Sequence, residues 1–230
     1  MSKLFTYCFY FYLLLASANA GAQTNNFGEV YAGVKASAGT SAISRSDIGI
    51  LLRKNGTFTD KLNESNWKTA VKGRYTRSGQ ALTLTYSGKT PVIYKITKKG
   101  NLSRRGHILT KFSETTIPKG GFEHKKSSGS GGVGTNQDYV GSSSSQYFYF
   151  DGKNRFSTKK SSSTTVTGSQ VGGGTSKKSN DNGTYTLSNG ELTLKFSNGS
   201  TVKYSCFVSR PVGRDGHMLL INGNFYFTKN

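Results

Sequence analysis

Apolar and polar residues alternate strictly in ELTLKF, residues 191–196, and in ALTLTY, residues 81–86. Successive side chains of a strand point to opposite faces, so Leu192 and Leu194 share one face while Thr193 lies on the other. An alternation built from leucine, threonine and aromatic residues is typical of a strand with one buried and one solvated face. Both segments are therefore predicted to be β-strands.

Asn-Gly dipeptides separate such alternating segments in the C-terminal part of the chain, at residues 189–190, 198–199 and 222–223. Asn-Gly readily takes the positive φ angles that a two-residue type I′ hairpin requires. Residues 183–229 are therefore predicted to form a meander of at least four consecutive antiparallel strands. The chain shows no convincing helical periodicity after residue 20, which predicts an all-β fold.

Two long stretches of the chain resemble each other. GRYTRSGQALTLTYSG, which begins at Gly73, matches GTYTLSNGELTLKFSNG, which begins at Gly183, at an offset of 110 residues. The same offset pairs His107 in GHIL with His217 in GHML. A register kept over about thirty residues indicates that a β-module has been duplicated.

The second copy of this module is predicted to contain an insert. Upstream of the matched stretches the offset falls to 98, where ILLRKNGTF at residues 50–58 matches FYFDGKNRF at residues 148–156. The change of offset means about twelve extra residues, which fall within residues 161–182. This segment is rich in Gly, Ser, Thr and Lys and has little to bury, so we expect it to be a flexible loop.

The predicted organisation is a signal peptide (1–20), a first β-repeat (21–113), a flexible linker rich in Gly, Ser and Lys (114–137) and a second β-repeat (138–230). Each repeat can supply roughly seven or eight short strands. Strands in that number close on themselves or pack face to face, because open edges invite aggregation. We favour two tandem antiparallel barrels; the alternative is one larger barrel or sandwich with the repeats as pseudo-symmetric halves.

Several motifs recur in a fixed order, namely DGxxRF or NGTF, a variable loop, GxYxLxxxxLTLxFxxG and a final strand after LxINGxxY. This order resembles the lipocalin-like modules of bacterial exported proteins and covers most of both repeats. The resemblance implies a β-barrel that can hold a small apolar ligand. It transfers no catalytic residue to this chain.

The N-terminal segment is typical of a secretory signal peptide. Lys3 precedes an apolar run from Leu4 to Leu15, and small residues then end in Ala18-Asn19-Ala20. Cleavage is expected after Ala20, which would place the mature protein in the periplasm or outside the cell, without a transmembrane anchor. Cys206 is then the one cysteine of the mature chain, and its strand-like context predicts a buried, inert thiol; a reactive thiol or an intermolecular disulfide is the alternative.

The chain carries a formal net charge of +20 and has a pI near 10. Such a surface attracts polyanions, among which anionic polysaccharide suits an exported protein better than nucleic acid does. The candidate contacts are basic pairs in loops or at strand ends: Lys98, Lys99, Arg104, Arg105, Lys159, Lys160, Lys177 and Lys178. Aromatic residues in QYFYF, residues 146–150, lie near some of them and can stack on sugars if one face of that strand is exposed.

Catalytic chemistry has little support in the sequence. His107 and His217 are candidates of unknown role because the repeat offset pairs them, although we favour the simpler interpretation that each segment opens a strand and the ring caps a turn. Metal-ligand spacings, nucleophile motifs and nucleotide-binding loops are absent, so no cofactor is predicted. We therefore expect a non-catalytic exported binding module that holds a small apolar ligand; the alternative is a basic protein that binds anionic envelope polysaccharide or another polyanion.

Overall fold

The computed structural model describes residues 28–38, 43–131, 139–167, 172–211 and 215–229. Its strands form two closed antiparallel barrels of eight strands each, arranged in tandem. The predicted all-β fold with two tandem barrels is confirmed, and the alternative of one larger barrel or sandwich is wrong. In the part of the chain described, no helix is long and apolar enough to cross a membrane. The predicted signal peptide lies outside the described residues.

The first barrel is a simple meander in which each strand pairs with the next and β8 closes onto β1. Its strands are β1 (Glu29–Ala38), β2 (Ile43–Leu52), β3 (Thr57–Thr59), β4 (Gly73–Ser78), β5 (Ala81–Tyr86), β6 (Val92–Ile96), β7 (Leu102–Arg104) and β8 (His107–Phe112).

The second barrel has the same order, with β16 closing onto β9. Its strands are β9 (Gly120–Gly131), β10 (Tyr139–Phe150), β11 (Arg155–Thr167), β12 (Gly172–Ser188), β13 (Glu191–Phe196), β14 (Thr201–Ser209), β15 (Met218–Ile221) and β16 (Asn224–Thr228). The predicted meander over residues 183–229 is therefore confirmed.

The predicted flexible linker over residues 114–137 is wrong for residues 120–131, which form β9. This strand pairs along its whole length with β10 and closes the barrel against β16, as β1 does between β2 and β8. Backbone hydrogen bonds and the burial of Phe122 hold it despite its Gly and Ser content. The second barrel thus begins at Gly120, not at residue 138.

The predicted flexible loop over residues 161–182 is also wrong wherever the structure describes it. Residues 161–167 continue β11 and residues 172–182 begin β12, and the two strands pair without interruption. Residues 161–167 also pair with β10 on their other side, so the backbone groups of this segment have hydrogen-bonding partners although it buries little apolar surface. The insert is therefore an extension of the sheet beyond the barrel.

The alternation of ALTLTY and ELTLKF places leucines in the two barrel interiors, as predicted. Leu82, Leu84, Leu192 and Leu194 are fully buried, and Lys195 is exposed. Other interior positions are filled mainly by large side chains. In the first barrel these include Tyr31, Ile50, Leu52, Phe58, Leu102 and Leu109, and in the second they include Phe122, Phe148, Phe150, Phe156, Tyr185 and Tyr226.

Two of the three Asn-Gly turns have the predicted type I′ backbone. Both residues have positive φ in Asn189-Gly190 (49° and 69°) and in Asn222-Gly223 (50° and 76°). At Asn198-Gly199 only the glycine has a positive φ angle, of 86°. The Phe196 backbone N–H there donates to the Ser200 carbonyl oxygen over 2.9 Å. The type I′ prediction is therefore wrong at this third turn, which is longer and is held by the Asn198 side chain.

The outer walls of the two barrels pack against each other through an apolar cluster. It contains Val30, Ala32, Leu51, Leu62, Trp67 and Phe112 of the first barrel, and Phe207, Met218, Leu220 and Phe225 of the second. At its centre the rings of Trp67 and Phe207 meet edge to face, with centroids 5.4 Å apart. The Phe225 N–H also donates to Asp47 Oδ2 over 3.1 Å. The barrels are thus joined by a shared core as well as by the chain.

Candidate anion-binding groove

The eight basic residues proposed from the sequence fall into two separate groups. Lys98 and Lys99 lie in the turn between β6 and β7, while Arg104 ends β7 and Arg105 begins the next turn. The other four lie on the extended strands of the second barrel, Lys159 and Lys160 on β11, and Lys177 and Lys178 on β12. The structure therefore concentrates only the second group on one element.

Strands β9 to β12 extend past the barrel as a sheet that is polar on both faces. Its registers align Lys125, Ser145, Ser161 and Lys178 in one row across the four strands. The next row, on the opposite face, contains Lys126, Ser144, Ser162 and Lys177. Each row thus has lysines on the two outer strands and serines between them. At the usual strand spacing the outer lysine backbones of a row are about 14 Å apart.

Serine hydroxyls pair across the central strands of this sheet. The hydroxyl oxygens of Ser145 and Ser161 lie 2.8 Å apart, as do those of Ser143 and Ser163. The lysines occupy β9 and β12 beyond the points where β16 and β13 pair with these strands. Lysine at an open edge discourages pairing with another chain, which gives these residues a structural role besides any binding role.

A groove with a volume of about 450 Å³ lies at the base of this sheet. Most of its lining comes from β10 to β12, and Glu123 and Lys229 contribute from β9 and the segment after β16. Four of the lining residues are lysines and one is acidic. The lining consists of Glu123, Ser145, Tyr147, Lys159, Lys160, Ser161, Lys178, Asn180 and Lys229.

The groove has a surplus of positive charge. Glu123 Oε2 lies 3.1 Å from Lys125 Nζ and 4.0 Å from Lys229 Nζ, so its charge is already paired. No carboxylate in the described ranges lies within ion-pair distance of Lys159, Lys160 or Lys178. Lys159 and Lys178, whose side chains share the face of Tyr147, can therefore bind an anion in the groove without first breaking an ion pair.

Tyr147 lies in the groove in an orientation that a neighbouring glycine permits. A Cβ atom on Gly121 would lie 2.1 Å from the Tyr147 hydroxyl oxygen and 2.7 Å from two ring carbons. The ring therefore lies directly against the backbone of β9, where any side chain would displace it. Lys229 Nζ lies 5.6 Å from the ring centroid.

Sequence reasoning assigned no site role to Glu123 or Lys229 and missed how the groove is assembled. Lys177 does not line it, since its side chain lies on the face of β12 opposite to that of Lys178. On β11 the side chain of Lys160 is likewise on the opposite face from Lys159, so Lys160 only borders the groove. The alternation of aromatic residues in QYFYF, in contrast, did indicate that one face of this strand is buried and the other is nearer the surface. Phe148 and Phe150 are buried, whereas Tyr147 is half-buried and Tyr149 is 36% exposed.

The inferred equivalence of His107 and His217 is wrong. In the first barrel the turn Arg105-Gly106 leads from β7 into β8, and its counterpart between β15 and β16 is Asn222-Gly223. His107, the first residue of β8, thus corresponds to Asn224, the first residue of β16. His217 lies before β15 instead. The similar GHIL and GHML segments occupy different positions in the two barrels.

The histidines have separate structural partners. His217 Nε2 lies 3.3 Å from Glu114 Oε2, and the His217 N–H donates to Thr228 Oγ1 over 2.9 Å. His124, which falls within the predicted linker over residues 114–137, lies on β9. Its Nδ1 is 2.9 Å from the Phe225 carbonyl oxygen, and its ring contacts Tyr226. The described residues contain no group of three or more His, Cys, Asp or Glu placed to hold a metal ion.

Cys206 lies inside the second barrel and is buried, as predicted. Burial raises the pKa of its thiol well above the ordinary value, since a thiolate would lose its hydration there. A thiol in this environment does not act as a nucleophile at neutral pH.

No family model, curated protein or solved structure matches the chain. Any assignment of function therefore depends on the groove's own geometry and charge.

Proposed function

We propose that this protein is a non-catalytic module that binds anionic polysaccharide in the groove at the base of the extended sheet. The observation that carries the proposal is one concave surface that contains Tyr147, Lys159 and Lys178, two lysines without a carboxylate partner among the described residues. A polymer with a negative charge on each residue can contact several ammonium groups at once. Each contact releases counterions and adds to the affinity.

The interior of the barrels gives less support to the other candidate ligand, a small apolar molecule. In both barrels the inward side chains contact one another in continuous buried clusters. A ligand of ordinary size needs a cavity of roughly 300 Å³ or more. The described groove of that size is lined by charged and polar side chains, so the small apolar ligand stays a prediction from the sequence.

Export belongs to this proposal as well. A signal peptide with cleavage after Ala20 would deliver the barrels to the periplasm or the cell exterior, where acidic polysaccharides of the envelope are found. The resemblance to bacterial exported lipocalin-like modules agrees with that location. Both are inferences from the sequence that support the same class of partner.

The proposal is tested by comparing two pairs of lysines that carry the same charge. Lys159→Gln with Lys178→Gln removes two charges from the groove, whereas Lys98→Gln with Lys99→Gln removes two from an exposed turn of the first barrel. Binding of polygalacturonate and heparin is measured between about 50 and 200 mM salt. We expect the groove variant to lose most of the affinity and the control variant to lose little. Equal losses would mean that attraction is diffuse, and no binding by the unmodified protein would refute the proposal.

A further inference from the structure

We propose that Tyr147 is a stacking platform for a sugar ring, so that the groove selects acidic polysaccharides among polyanions. This inference rests on the proposed function and specifies its ligand class. Charge alone binds any polyanion, whereas a flat aromatic surface binds the apolar face of a ring. The structure shows such a surface inside the groove, beside unpaired lysines.

The position of the Tyr147 ring is set by the strand next to it. Gly121 leaves the backbone of β9 bare, and the hydroxyl end of the Tyr147 ring occupies that space. The Lys229 ammonium lies over the ring, 5.6 Å from its centroid. A ring held in place by a neighbouring backbone loses little conformational freedom when a ligand stacks on it, which favours binding.

Lys229 is suited to exchange partners when a sugar arrives. Its side chain is 56% exposed. Its backbone N–H is held in place, because it donates to the Gly121 carbonyl oxygen over 2.9 Å. The ammonium can therefore move off the ring while the backbone stays in place. In the bound state the sugar ring covers Tyr147, and the sugar carboxylate pairs with Lys229 or with Lys159.

The remaining lining groups favour a sugar over a phosphate polymer. Glu123 places a carboxylate at the groove, where its oxygens can accept hydrogen bonds from sugar hydroxyls, groups that a polyphosphate lacks. Ser145, Ser161 and Asn180 add hydroxyl and amide groups that both donate and accept. A single-stranded nucleic acid would also stack on Tyr147, so it is included as a competitor below.

The test compares Tyr147→Ala with Tyr149→Ala, because Tyr149 lies two residues along the same strand and outside the groove lining. Two further variants probe the geometry. Tyr147→Phe retains the ring, and Gly121→Ala pushes it from its position. Binding of polygalacturonate, polyphosphate and oligo-dT is measured at about 0.3 M salt, where diffuse charge attraction is weak.

We expect Tyr147→Ala and Gly121→Ala to weaken polygalacturonate binding about tenfold, a typical loss when an aromatic stacking partner is removed. Tyr147→Phe and Tyr149→Ala should bind like the unmodified protein, and polyphosphate should be unaffected by all four changes. Polygalacturonate binding that depends on Lys159 and Lys178 but not on Tyr147 would overturn the platform and leave the proposed function intact. If Tyr147→Ala weakened the binding of oligo-dT more than the binding of polygalacturonate, the polysaccharide assignment would be overturned. If the unmodified protein bound none of the three polymers, both proposals would be refuted.

Discussion

The Glu29 carboxylate at the end of the first barrel shows how a partly exposed charged side chain is stabilised there by its neighbours. Lys111 Nζ donates to Glu29 Oε1 over 2.6 Å, Arg77 pairs with Oε2, and the Tyr31 hydroxyl donates to Oε2 over 3.2 Å. Burial disfavours the charged form of Glu29, but the bonds and charges of Lys111 and Arg77 outweigh it and lower its pKa below the ordinary value of 4.5.

This pKa direction predicts how the stability of the protein depends on pH. A carboxyl group whose pKa is lower in the folded than in the unfolded state stabilises the fold above its unfolded pKa, and the contribution is lost as pH falls through the folded value. Glu29→Gln should therefore reduce the free energy of unfolding at pH 7, and the difference from the unmodified protein should shrink below about pH 4. Urea unfolding at pH 7 and pH 3 measures both differences.

Glu64→Gln is a suitable control for this prediction, because Glu64 forms an exposed ion pair with Lys61 on the surface. It reports the general effect of removing one acidic side chain at each pH. A Glu29→Gln difference that stays constant with pH, or that grows as pH falls, would contradict the lowered pKa.

At the scale of strands, the sequence predicted best where one face of a strand is buried. Alternation identified β5 and β13 and also which of their residues face the barrel interior. The free energy gained by burying leucine rather than threonine is large enough to decide which face of the strand points inward. Asn-Gly located the turns for a similarly local reason, since few other residues adopt positive φ readily.

The strands that were missed lack this apolar signal. β9 and the outer halves of β11 and β12 consist largely of Gly, Ser, Thr and Lys, a composition that also describes flexible segments. They form strands because β9 and β11 pair with β10, whose position is fixed by Phe148 and Phe150 in the barrel, and β12 pairs in turn with β11. Such pairing depends on the tertiary fold, so local composition does not reveal it.

The groove was missed for the same reason, although its lysines were identified. Lys159 and Lys178 are nineteen positions apart in the sequence and come together only through the register of β11 with β12. Glu123 and Tyr147 join them through the register of β9 with β10. Sequence reasoning thus named residues of the right chemical type but not the surface that unites them.

At the scale of the whole molecule, the two barrels share an apolar core that contains the chain's one tryptophan. Trp67 belongs to the loop between β3 and β4 and packs on Phe207 of the second barrel. Its side chain is only 4% exposed, so its fluorescence should report whether the barrels are docked.

Phe207→Ala should leave a cavity at this interface and expose the indole of Trp67. We expect a destabilisation of about 3–5 kcal/mol and a shift of the tryptophan emission to longer wavelength, with the β-type circular dichroism retained. Ile93→Ala, on β6 at a position that is 59% exposed, is the control and should change neither quantity appreciably. An emission spectrum unaffected by Phe207→Ala would show that the barrels do not share the interface described.

The central claim, that anionic polysaccharide binds in the groove of the second barrel, is tested most directly by mapping the contact residue by residue. Backbone amide resonances are followed by NMR while a polygalacturonate fragment is added at about 150 mM salt, where diffuse attraction is screened beyond roughly 8 Å. The account predicts shifts at Glu123, Tyr147, Lys159 and Lys178 and unchanged resonances for the first-barrel turn at residues 97–100. Shifts of equal size at both places, or shifts confined to the first barrel, would contradict it.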